Sequence, residues 1–199
     1  MVIADKFVWL HFPKCAGTEV GAVLKALDIP GSHHDPIDYN NIIWHHTLAQ
    51  RQKHDPSFSA EGKKVVCCIR RLPYWILSRI FYEFQRSYHV PTREMLLKGM
   101  YIEQPGYPGK ADAALAFFRP GVTDWLRTEH LVEDFTRVFS GLIDLTDVDV
   151  EALFQRRHTR IYLKNPKFYF TAKELAELYD HNPVWKELEL TLYGNLMTL

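Results

Sequence analysis

Cysteine is scarce in this chain: three residues in 199, at positions 15, 67 and 68. An odd set with two neighbours gives neither a disulfide framework nor the paired spacing of a zinc site. Net charge is also missing. The 24 basic residues balance the 24 acidic ones, so no global field draws the chain to nucleic acid or to an anionic membrane, and any anion site has to be local. No apolar run approaches the length of a membrane span. Instead of a basic start, an apolar stretch and a cleavage site, Asp5 and Lys6 stand just before the first apolar segment, and the expected location is cytoplasmic. There is no low-complexity tract, and the scattered aromatic residues form no basic–aromatic stripe of the kind that binds nucleic acid. What remains is ordinary composition, 47% hydrophobic and 24% charged, enough for one compact domain over 1–199 with a sizeable core.

Two strand-to-helix units organise that domain. "KFVWLHF" is aromatic and β-branched enough for a buried strand, and after the turn PKCAGT the residues Val20, Val23, Leu24 and Leu27 recur at helical spacing. "KKVVCCIRR" is a second short apolar strand, with Cys67 and Cys68 as buried positions, followed by a helix marked by Ile76, Leu77, Ile80, Phe81 and Phe84. Such units predict an α/β fold with a mostly parallel sheet flanked by helices, in which ligands collect beyond the carboxyl ends of the strands. Between the units, a short strand is expected to end near His45, with a helix after it. The stretch 86–121, broken by "EQPGYPGK" and "FFRPG", reads as a lid-like or acceptor-binding insertion. Later, Leu131, Phe135, Val138, Phe139 and Leu142 mark an amphipathic helix. "TAKE" from Thr171 has capping-box spacing, and Asn182 with Pro183 starts a last helix.

The chemistry concentrates in the first turn. A strand–turn–helix junction offers backbone N–H groups and the positive end of a helix to an anion. Lys14 adds a charge, Gly17 allows close backbone approach and Thr18 brings a hydroxyl. The order differs from GxxxxGK[ST], because the lysine precedes the small residues and no aspartate-bearing strand stands ready for magnesium. The same stretch also fits a plain connection carrying a solvated lysine. At the second strand's end, Arg70 or Arg71 suits bidentate phosphate contact, and Ser78 lies on the helix beyond. No ligand set for a metal is present.

"FPKCAGTEV" resembles the 5′-phosphosulfate loop of sulfotransferases that use 3′-phosphoadenosine 5′-phosphosulfate (PAPS), and "CCIRRLPYWILSRIFYEF" resembles their 3′-phosphate strand, turn and helix. "LRTEHLVEDFTRVF" and "LKNPKFYFTAKELAELY" are similar to later segments of the same family. The pattern is closer to the carbohydrate branch, Golgi-type and bacterial, than to the small-phenol branch. The resemblance implies a P-loop NTPase-like three-layer fold and sulfuryl transfer from PAPS to a hydroxyl acceptor, a carbohydrate or related metabolite. It further implies that Lys14, Cys15, Ala16, Gly17 and Thr18 hold the 5′-phosphosulfate, that Arg70 and Ser78 hold the 3′-phosphate, and that Lys164 and Asn165 lie in a segment folding over the nucleotide, near the basic run of Arg156, Arg157, Arg160 and Lys167. The acceptor's base is expected in "IIWHHTLAQ", with His46 ranked over His45 by resemblance and Glu19 competing. Glu19 stands where a small polar residue is usual, Pro73 falls one position late, and Trp75 replaces a second arginine. P-loop phosphotransfer, or non-catalytic nucleotide or partner binding on the same fold, are the alternative readings. Tyr88, Tyr101, Tyr107, Phe117 and Phe118 of the insertion are open to acceptor stacking or to core packing.

Overall fold

The structure is a computed structural model and describes every residue except 39–40, 89, 103–108 and 155–161. Over the described residues the chain forms two compact units, Met1–Ile69 with Pro120–His158, and Arg70–Arg119 with Thr159–Leu199.

The first unit carries a five-stranded sheet in the order β3-β1-β2-β4-β5. Its strands are β1 (Val2–Ile3), β2 (Phe7–Leu10), β3 (His33–His34), β4 (Lys64–Ile69) and β5 (Asp124–Arg127). β2 pairs parallel with β4, and β4 with β5. β1 runs antiparallel to both β2 and β3, so it alone opposes the other four. The sheet is therefore mixed where a mostly parallel one was expected. The reason lies in its two-residue strands: β1 is joined to β2 by a short connection, and only an antiparallel strand can be reached that way.

All four residues of β2 are buried, which explains why the strand reads as a continuous apolar run. Phe7 and Trp9 share one face by alternation. Phe7 meets Phe139 edge-on at 5.0 Å, and Phe139 belongs to α6 (Leu131–Phe139). Trp9 lies under Gly21 of α1 (Gly17–Ala26), where a Cβ would sit 3.6 Å from its ring. The expected apolar faces of both helices are buried here: Val20, Val23 and Leu24 on α1, and Phe135, Val138 and Phe139 on α6. Cys67 and Cys68 are buried in β4, as read from the sequence. The expected strand near His45 is instead a 3₁₀ turn, Ile42–His45, whose Trp44 packs on His11 at 4.6 Å. Its apolar run is too short for periodicity to separate strand from helix. After it, α2 (Leu48–His54) starts on a full capping box of Thr47 and Gln50. The four-residue α7 (Val150–Leu153) completes the unit.

The second unit is helical. It contains α3 (Leu72–Ser87), α4 (Arg93–Lys98), α5 (Ala111–Phe118), α8 (Ala172–Asp180) and α9 (Pro183–Tyr193). Its core gathers Trp75, Tyr101 and Trp185, with Trp75 and Trp185 rings 4.7 Å apart. Buried carboxylates tie the helix ends together. Glu189 accepts from the Leu72 amide, from Arg71 and from the Tyr179 hydroxyl. Asp112 accepts from the Val184 and Trp185 amides, so the start of α9 is capped from α5 and not by Asn182. Asn182 is fully buried and donates to the Lys98 and Leu178 carbonyls. No helix among the described residues is long and apolar enough to cross a membrane.

Candidate functional site

Residues 11–16 connect β2 to α1, and the backbone of the turn from Pro13 into the first turn of α1 is unusual. Lys14 has φ 67° and Ala16 has φ 56°, both in the left-handed region that non-glycine residues seldom occupy. Strain of this kind persists only where surrounding structure enforces it, and it concentrates at functional sites. Ala16 is the residue before α1, and its methyl group cannot cap the helix. A left-handed residue followed by a helical one turns successive N–H groups toward the same point and forms a concave anion nest. The amides of Gly17 and Thr18 belong to the first turn, which has no intrahelical acceptors. The Lys14 ammonium and the Thr18 hydroxyl are the side-chain donors that this turn carries, and both residues are half-buried. Cys15 is wholly buried beneath it. Glu19 is the one acidic residue of the first turn of α1. Its amide donates to the Ala16 carbonyl at 3.0 Å.

Behind the turn lies an aromatic and histidine cluster. The His11 ring abuts Gly17 so closely that a Cβ there would stand 1.9 Å from it. Trp44 and His45 flank that ring at 4.6 and 4.5 Å. Burial pushes the His11 imidazole well below its ordinary pKa, and the nearby charges of His45 and Lys14 act in the same direction, so His11 is neutral. His45 Nδ1 lies 2.7 Å from the His11 carbonyl oxygen. A carbonyl can only accept, so Nδ1 carries the proton and Nε2 is the basic nitrogen. His46 points elsewhere: its ring meets His54 at 5.4 Å, and burial followed by the Arg51 charge lowers its pKa.

The remaining sequence candidates lie in the second unit. Arg70 follows β4 directly, and its carbonyl accepts from the Trp185 indole at 3.0 Å. Ser78 is buried on α3, two turns further along. Arg71, the other arginine, is taken up by structure: it donates to Glu189 and Asn195 and stacks over Tyr193 at 4.3 Å. Trp75 is core. Lys164 and Asn165 are exposed, and the Asn165 side chain accepts from the Lys167 amide at 3.0 Å. Arg156, Arg157, Arg160 and Tyr107 lie outside the described residues. Of the insertion aromatics, Tyr101 and Phe118 are buried and Tyr88 is exposed.

Sequence reasoning missed the contact between His11 and Gly17. Its signal was present: Gly17 and Gly21 are spaced i, i+4 on one helix face, opposite Trp9 and His11 spaced i, i+2 on one strand face. Among the described residues, no group of three or more His, Cys, Asp or Glu is placed to hold a metal ion. No family model, no curated protein and no solved structure matches the chain.

Proposed function

We propose that the protein is a PAPS-dependent sulfotransferase with a P-loop NTPase-like three-layer fold, acting on a hydroxyl of a carbohydrate or related metabolite. The observation that carries this reading is the turn from Pro13 to Thr18, with left-handed Lys14 and Ala16 at the uncapped start of α1. Its first-turn amides, the Lys14 ammonium and the Thr18 hydroxyl can all donate, which suits the 5′-phosphosulfate of the donor nucleotide. Arg70 and Ser78 would hold its 3′-phosphate, at the separation found in the family that the sequence resembles.

PAPS supplies an activated sulfuryl group whose departure leaves negative charge on a phosphate oxygen. Lys14 and the first-turn amides stabilise that charge, a contact that strengthens toward the transition state. In-line transfer also needs a base for the acceptor proton. His45 fits better than His46, because the His11 carbonyl fixes its tautomer and its ring packs on the residue that backs the turn. Glu19, in the first turn of α1, is the competing base.

Incubation of the purified protein with sulfur-labelled PAPS and a panel of oligosaccharide and small hydroxyl acceptors tests the activity. Acceptor-dependent label transfer is expected. Binding of ATP plus magnesium without any binding of adenosine 3′,5′-bisphosphate would replace sulfuryl transfer by phosphotransfer.

A further inference from the structure

We propose that His11 is a positioning residue for the anion turn: its buried ring, set against Gly17, fixes where α1 begins, and glycine stands at 17 to admit that ring. Two ordinary reasons for a glycine fail here. Gly17 is not among the residues with positive φ; the left-handed conformations of this turn belong to Lys14 and Ala16. Nor is the glycine needed for a loop, since it is the first residue of α1 and alanine is a better helix former.

Space is the remaining reason, and the space is filled by protein. The three atoms nearest to a Cβ at Gly17 are all from the His11 ring, at 1.9, 2.0 and 2.7 Å. That ring cannot swing aside without displacing its neighbours. Trp9 lies 5.3 Å from it, Trp44 4.6 Å and His45 4.5 Å, ring centre to ring centre. The backbone of His11 is held as well, its carbonyl accepting from His45. One residue therefore locates the helix start through its side chain and the imidazole of His45 through its main chain. Four positions along, Gly21 lies over Trp9 at ordinary contact distance, so the close approach of α1 to β2 is tightest at the turn itself.

The ligand readout of this proposal rests on the sulfotransferase reading; the packing readout does not. Gly17→Ala, His11→Ala and the double variant are compared with the unmodified chain by thermal melting and by calorimetric titration with adenosine 3′,5′-bisphosphate. Gly17→Ala is expected to melt lower and to bind at least about tenfold more weakly, because overpacking a filled site displaces backbone. Adding His11→Ala to Gly17→Ala should raise the melting temperature to that of His11→Ala alone and recover about tenfold in affinity, since the two substitutions share one space. A double variant as poor as Gly17→Ala in both measurements overturns the proposal. Recovered melting with unrecovered affinity also overturns it, because His11 would then pack the helix without setting the turn. If the unmodified chain binds no bisphosphate, the sulfotransferase reading fails, and the melting pattern alone decides whether His11 is what demands the glycine. His11→Ser repeats the comparison if the alanine variants do not fold.

Discussion

Two helix starts in this protein are built in opposite ways. At α8, Thr171 and Glu174 form a complete capping box, the hydroxyl accepting from the Glu174 amide and the carboxylate from the Thr171 amide. At α1 the preceding residue is an alanine in a left-handed conformation, with a left-handed lysine two positions earlier. The first arrangement satisfies the helix's own amides and offers nothing to a ligand. The second accepts backbone strain and gives the first-turn amides no side-chain cap. A third start, at α9, shows that this protein can cap a helix without a local side chain, since Asp112 reaches across from α5. What sets α1 apart is the left-handed conformation of the residue before it, since α3, α5 and α6 also begin without a side-chain cap from the preceding residue.

The contrast is sharpest for Lys14. Lys14→Ala should lower turnover about a hundredfold or more, as other single electrostatic donors do, while bisphosphate affinity falls less. Steady-state kinetics with an identified acceptor, set beside calorimetry, separates the two effects. Unchanged turnover when chemistry limits the rate would leave the turn as a passive cradle.

Arg70→Ala should show the reverse emphasis, losing bisphosphate affinity by about tenfold or more through the missing charge-assisted contact. The Arg71→Ala variant should instead reduce stability, because Arg71 is committed to Glu189 and Asn195. Melting and titration of the two variants side by side test this division.

At the capped starts the effects should fall on stability alone. Asp112→Ala removes the acceptor for two amides of α9 and should destabilise by about 1.5–3 kcal/mol. Thr171→Ala should cost about 1 kcal/mol. Denaturant unfolding measures both. A loss of bisphosphate affinity at matched folded fraction would erase the distinction between capped and open starts.

A further effect concerns pH. The His11 pKa is depressed in the folded chain and near 6.5 when unfolded. Above about pH 6.5 the ring is neutral in both states and contributes no pH dependence. Below it the unfolded chain takes up a proton that the folded one refuses, so stability should fall by up to about 1.4 kcal/mol per pH unit from this group. His46 shifts in the same direction. Melting curves from pH 7.5 to 5.5 should show the decline, and His11→Ala should flatten it. A pH dependence left unchanged by His11→Ala would contradict a neutral buried His11.

Much of this was legible in the sequence where period and cap agree. The β2 and β4 strands, the helices after them and the capping box at Thr171 all carry local signals that tertiary packing leaves unchanged. The short strands did not: Val2–Ile3 and His33–His34 are held by pairing with neighbours, which two residues cannot announce. The Asn182–Pro183 helix start was found, but the side chain that accepts its first amides is Asp112, 70 positions from Asn182 and beyond any local signal. At the site, Lys14 and Gly17 stood out by residue type. The left-handed backbone of Ala16 and the His11 ring behind Gly17 did not, since a φ angle and the packing of one side chain on another residue leave no residue-type signal.

The turn from Pro13 to Thr18 is proposed to take the 5′ end of a 3′-phosphorylated adenosine nucleotide. Titration calorimetry of the chain with adenosine 3′,5′-bisphosphate, in parallel with ATP plus magnesium, tests it most directly. Saturable binding of one bisphosphate per chain is predicted, weakened by Gly17→Ala and by Arg70→Ala. Binding of ATP plus magnesium alone, with no heat from the bisphosphate, would contradict it.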